Sequence, residues 1–163
     1  MKYPATPAEI KQAATPHNLF VAGVLLFDLM LTPAVIALKI GMVAILIPLL
    51  CSGALLAYIY LRSRKNENWF VHMHWRLSWS RSRLLLIGYG VSALLIALAW
   101  LVSQTARDAS MAHIMWTAMT RIALVPTLIF VMVTAVLEAS GISQANHGEV
   151  PDDLAAKYPP PNS

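Results

Sequence analysis

Apolar residues occupy most of the middle of the chain, in runs long enough to cross a bilayer as helices. The run over 19–61 is interrupted by Asp28 and Lys39, and it is about twice the ~20 residues that one helical span needs. A break at Lys39 to Gly41 divides it into spans over about 18–38 and 42–61. Charge-poor runs predict two more spans, over about 84–103 and 112–137. The pattern predicts an all-α integral membrane protein, with four transmembrane helices in an up-down bundle.

Three polar segments surround these spans. Residues 1–17 form an N-terminal tail in which Thr6-Pro7-Ala8-Glu9 is typical of a capping box, predicting a short interfacial helix. Residues 62–83 form a tryptophan-rich loop between the second and third helices, and we expect this loop to lie at the membrane interface. Residues 139–163 are polar and proline-bearing, which predicts a largely disordered tail.

Composition agrees with a membrane protein. Hydrophobic residues make up 58% of the chain and charged residues 12%, against about 45–50% and about 25% in soluble domains. This balance excludes a disordered chain and argues against an ordinary soluble enzyme. The single cysteine, Cys51, cannot form an internal disulfide bond.

The basic residues predict an orientation. Nine of the 12 lie in the segments that four spans place on one side: two in the N-terminal tail, six in the loop and one in the C-terminal tail. Only Lys39 and Arg107 lie in the connections on the other side. The positive-inside rule therefore predicts cytoplasmic termini, and we expect the bacterial inner membrane as the location.

The loop over 62–83 carries the net positive charge, together with interfacial aromatic rings. This combination favours binding to anionic lipid headgroups, or docking onto a partner subunit or a second copy of the chain. Nucleic acid is not an expected partner. The candidate docking residues are Arg62, Arg64, Lys65, Trp69, Trp75, Arg76, Trp79, Arg81 and Arg83.

Two ionised residues, Asp28 and Arg121, fall near the middle of the first and fourth spans. Each charge is costly in a bilayer, and pairing the two offsets that cost. Further polar residues share faces of these helices and predict a proton or solute path. The alternative is a structural ion pair whose leftover groups the hydroxyls satisfy. The path residues are His17, Thr32, Lys39, His113 and Thr117.

The nearest approach to a ligand motif is His72-Met73-His74, with His17 predicted at the same depth. Two imidazoles and a thioether are ligands for copper or haem iron. The alternative is that these histidines bond to headgroups or neighbouring residues. No pattern of catalytic residues stands out.

Three functions follow as hypotheses. The absence of catalytic motifs and the compact bundle favour a non-catalytic accessory or assembly subunit of a larger membrane complex. A mid-membrane acid at Asp28 favours a small oligomeric transporter or proton-coupled carrier. The histidines at 17, 72 and 74 favour a haem- or copper-binding membrane protein.

The Asp28–Arg121 pair gives a first prediction. Removing one partner of a buried pair costs about 3–5 kcal/mol, so Asp28→Asn or Arg121→Gln should impair assembly, and exchanging the two charges should restore it. Cross-linking between the first and fourth spans tests the contact directly. Cross-links that place the two residues on opposite faces of the bundle would contradict it.

Overall fold

The structure, a computed structural model, describes residues 1–38, 44, 46–65 and 68–160. This part of the chain is predominantly helical and contains no strand beyond a single antiparallel bridge between Lys2 and Glu149. The all-helical fold is therefore confirmed. The helices are α1 (Pro7–Gly23), a π-helical segment (Val24–Leu31), α2 (Thr32–Ala37), α3 (Leu46–Arg62), α4 (Trp69–Ser103), α5 (Ala109–Ala123), α6 (Val125–Asn146) and α7 (Asp152–Lys157).

Among the residues that the structure describes, three stretches of helix are long and apolar enough to cross a membrane. They are Pro7–Ala37, which covers the predicted first span up to residue 37, and Trp69–Ser103 and Ala109–Asn146, which contain the predicted third and fourth spans. The predicted second span corresponds to α3, an apolar helix of 17 residues. The predicted break at Lys39 to Gly41 lies outside the described residues. The count of four spans and their up-down order stay predictions.

The N-terminal helix begins as the sequence predicts but continues further. The hydroxyl of Thr6 accepts a hydrogen bond from the Glu9 backbone N–H at 3.3 Å, and the Glu9 carboxylate accepts one from the Thr6 N–H at 2.7 Å. This capping box satisfies backbone donors that have no partner within the helix. The prediction of a short helix confined to the N-terminal tail over 1–17 is wrong, because α1 runs through Pro16 to Gly23. Thr15 donates to the Lys11 carbonyl there.

The first span changes its helical winding around Asp28. The π-helical segment Val24–Leu31 joins α1 to α2, and the hydroxyl of Thr32 donates to the Phe27 carbonyl at 2.9 Å. Asp28 is half-buried and accepts a hydrogen bond from the Ser52 hydroxyl of α3 at 3.1 Å. Such π-helical turns inside α-helices are rare, and they occur frequently at functional sites.

The tryptophan-rich segment is helical, contrary to the loop predicted over 62–83. From Trp69 onward it forms the first turns of α4. Phe70 and Met73 are three residues apart, which places them on one helical face, and both are buried. Burial of this stripe explains why the helix extends back beyond the predicted span.

The C-terminal segment also differs from the disordered tail predicted over 139–163. Helix α6 continues to Asn146, α7 follows, and Val150 and Ala155 are buried. These two side chains join a cluster with residues from α1, α4 and α6, namely Ala13, Ala14, Phe70, Met73 and Ala145. Apolar contact with the rest of the chain thus compensates for the polar composition of the tail.

Two compact units make up the chain, residues 1–82 with 135–163, and residues 83–134. In the second unit, α4 and α6 approach closely at Gly88, where a Cβ atom would lie 2.7 Å from the Cβ of Phe130. The Ser92 hydroxyl accepts from the backbone N–H of Thr127 at 3.2 Å and bonds to its hydroxyl at 2.8 Å. Small residues permit this approach.

Candidate functional site

Three titratable side chains meet in the interior of the first unit. They are His17 of α1, His74 of α4 and Glu138 of α6, all fully buried. Nδ1 of His17 contacts Oε2 of Glu138, and Nε2 of His17 lies 3.0 Å from Nδ1 of His74. Nε2 of His74 then lies 3.2 Å from the backbone carbonyl oxygen of Glu149. We call this continuous series of contacts the Glu138–His17–His74 chain.

Helix α6 brings Glu138 to this place because one of its faces is buried. Thr134, Glu138, Gly141 and Ala145 recur at helical spacing, and all four are buried. Gly141 makes room for the imidazole, since a Cβ atom there would lie 2.5 Å from two atoms of the His17 ring. The glycine therefore permits the contact between His17 and Glu138.

Arg81 of α4 supplies a positive charge next to the carboxylate. Its guanidinium interacts electrostatically with Glu138 and donates a hydrogen bond to the Leu137 carbonyl. The second carboxylate oxygen of Glu138, Oε1, is buried, and it has no hydrogen-bond partner within the described part of the chain. A buried oxygen without a partner is costly, and the nearby guanidinium partly offsets that cost.

The Glu138–His17–His74 chain is separated from solvent by the groups packed around it. The ring of Phe70 meets the His74 ring edge-on, with the centroids 4.8 Å apart. The two imidazole rings are nearly perpendicular to each other, at 88°. In this low-dielectric setting hydrogen bonds are strong, and unpaired polar groups are costly.

The structure brings together two of the three histidines proposed as haem or copper ligands. His17 and His74 are in direct contact, whereas His72 accepts a hydrogen bond from Nε of Arg76 at 2.7 Å. Both ring nitrogens of His17 and of His74 face protein atoms. No group of three or more metal-ligating side chains occurs among the residues that the structure describes. Haem or copper binding stays a hypothesis that this geometry does not favour.

The predicted ion pair and polar path span both units. Asp28 and Thr32 belong to the first unit, whereas His113, Thr117 and Arg121 belong to the second. Lys39 lies outside the described residues. The Asp28–Arg121 pair and the continuous path therefore stay predictions.

Several of the predicted docking residues have partners within the chain. Trp75 is buried against Tyr58, and the Arg62 guanidinium lies 5.3 Å from the Trp75 ring centre. Arg76 stacks on Tyr158 at 4.1 Å. Further internal contacts are the hydrogen bond from the Trp69 indole N–H to the Tyr158 carbonyl, the packing of Trp79 and of Arg64 on the Tyr60 ring, and the hydrogen bond from Arg81 to the Leu137 carbonyl.

Reasoning from sequence missed Glu138 and the roles of Arg81 and Gly141. Glu138 directly follows the apolar run over 112–137, so the sequence pattern places it just beyond the predicted fourth span. A signal was present, however, in the spacing of Thr134, Glu138, Gly141 and Ala145, which places small and polar residues on one helical face.

Substitution of Gly141 tests the packing of the site. Gly141→Ala should lower the free energy of unfolding by about 1–3 kcal/mol, because the added methyl group overlaps the His17 ring. The matched control is Gly53→Ala, a helical position with nothing within 4 Å of the added atom, which should stabilise by about 0.5–1 kcal/mol. Denaturant unfolding in detergent measures both. Equal effects of the two substitutions would contradict the packing described.

Comparison of the chain with protein-family models, with curated proteins and with solved structures found no match.

Proposed function

We propose that this protein is a non-catalytic accessory or assembly subunit of a larger membrane complex. One observation carries the proposal: the groups best suited to chemistry in the first unit are enclosed and bonded to one another. His17, His74 and Glu138 are fully buried, and every ring nitrogen faces a protein atom. A catalytic base or nucleophile must instead reach a substrate.

The apolar outer surfaces of the helices offer a place for a partner. Large apolar side chains are exposed along the helices that can cross a membrane, among them Met30, Leu94 and Met132. In a bilayer such side chains face either lipid or another membrane helix. The partner of this proposal is therefore a membrane protein with an apolar helix face.

The same proposal includes the orientation of the protein in the membrane. Arg64, Lys65 and Arg83 remain exposed near the ends of α3 and of the predicted third span. Charges of this kind favour the cytoplasmic side and anionic headgroups. We accordingly place both termini in the cytoplasm and the protein in the bacterial inner membrane.

Photo-crosslinking in native membranes tests the accessory role. A crosslinking amino acid at Met132, which is exposed, should give a reproducible protein adduct larger than the 17.9 kDa chain. The same amino acid at the neighbouring Val131, which is buried, is the matched control and should give no such adduct. Lipid adducts alone at Met132, together with a lone monomer after mild purification, would contradict the proposal.

A second candidate, a small oligomeric proton-coupled carrier, is favoured by the surroundings of Asp28. The residue lies in the π-helical segment of a predicted span and accepts a hydrogen bond from Ser52 of another helix. A half-buried acid within a span is a typical proton-binding group of transporters. Asp28 is half-buried, whereas Glu138 is fully buried.

Proton flux into proteoliposomes tests the carrier. Under an imposed pH gradient, Asp28→Asn should reduce the flux reported by an internal pH-sensitive dye to that of empty liposomes. Asp108→Asn is the control, because asparagine retains the helix cap that Asp108 forms on α5. Equal fluxes through the unmodified chain, the Asp28 variant and empty liposomes would rule out this candidate.

A further inference from the structure

The Glu138–His17–His74 chain sets a condition on the number of protons it holds. It contains three consecutive contacts: Glu138 to His17, His17 to His74, and His74 to the Glu149 carbonyl. A hydrogen bond needs one proton between its two heavy atoms. Three satisfied contacts therefore need three protons, one in each.

The usual protonation states of glutamate and histidine supply too few protons for three hydrogen bonds. An ionised glutamate brings no proton, and each neutral imidazole brings one. The backbone carbonyl of Glu149 accepts only, so it cannot contribute. With Glu138 ionised and both histidines neutral, one of the three contacts would hold two acceptors facing each other.

We propose that the Glu138–His17–His74 chain is a proton-binding site that holds one proton more than an ionised glutamate and two neutral imidazoles. The proton can reside on Oε2 of Glu138, with both histidines neutral and protonated at Nε2. Its transfer to Nδ1 of His17 leaves a carboxylate beside an imidazolium.

Each of these arrangements satisfies all three contacts and has a net charge of zero. Loss of the additional proton would leave one negative charge on these three residues, at the carboxylate that the Arg81 guanidinium faces. The other charged groups facing the chain are Arg81 from α4, which interacts with Glu138, and Asp153 from α7, which interacts with Arg81. The side chain of Glu149 does not take part, since its residue is exposed and only its carbonyl is used.

Release of the proton has a structural consequence. Hydrogen bonds to an ionised carboxylate are the stronger ones, so a proton remains between His17 and Glu138. His74 then has a single proton for two contacts, one to His17 and one to the Glu149 carbonyl. One of these must open, which loosens α4 from either α1 or the C-terminal segment.

Nuclear magnetic resonance of the full chain in lipid, with ¹⁵N-labelled histidine and ¹³C-labelled glutamate, tests the count. At neutral pH we expect three signals together: a proton at Nε2 of His74, a coupling across the His17–His74 contact, and a proton shared by Glu138 and His17. The exposed His113 and His147 serve as internal references. Absence of any one of the three would overturn the proposal.

Glu138→Gln provides a variant in which the site cannot release its proton. The glutamine amide can donate to Nδ1 of His17, so both neutral histidines keep all three contacts. As the pH rises, we expect the unmodified protein to lose either the proton at Nε2 of His74 or the coupling across the His17–His74 contact. The Glu138→Gln variant should retain both of these signals. His147→Gln is the control and should behave as the unmodified chain.

The same loss of signal in the Gln variant would overturn the proposal. If Glu138→Gln does not fold, the three signals of the unmodified protein at neutral pH still test the proposal.

Discussion

The contact of His17 with both Glu138 and His74 is the interaction on which the first unit depends. Helices in a bilayer gain little from burying apolar surface against each other, because lipid tails are as apolar as leucine. Buried hydrogen-bonded side chains, in contrast to apolar ones, find suitable partners in only one arrangement of the helices. These residues therefore determine which faces of α1, α4 and α6 meet.

This interaction requires the packing around it. Gly141 leaves space for the imidazole of His17, and Phe70 closes the site on the side of His74. The C-terminal segment supplies the last acceptor through the Glu149 carbonyl, while Val150 holds that segment in the apolar cluster. Removal of either kind of contact exposes the other to water, so polar and apolar packing stabilise each other here.

The sequence predicted the long helices because their signal is local. An uninterrupted apolar run such as that over 84–102 indicates a span whatever the rest of the chain does. The helical start at Trp69 and the ordered tail depend on distant contacts, those of Phe70 and Val150 in one cluster, which composition does not reveal. Glu138 was missed for the same reason, because only the fold shows that an acid at the end of a span faces a histidine rather than water.

Two acidic residues of this chain illustrate how surroundings divide their roles. Glu138 is fully buried with one carboxylate oxygen against the imidazole of His17, so no solute reaches it. Asp28 is half-buried in a π-helical segment, and its carboxylate accepts a hydrogen bond from the Ser52 hydroxyl. In our two proposals, a proton bound at the fully buried Glu138 acts on the packing of helices, whereas proton exchange with a second molecule is assigned to the half-buried Asp28.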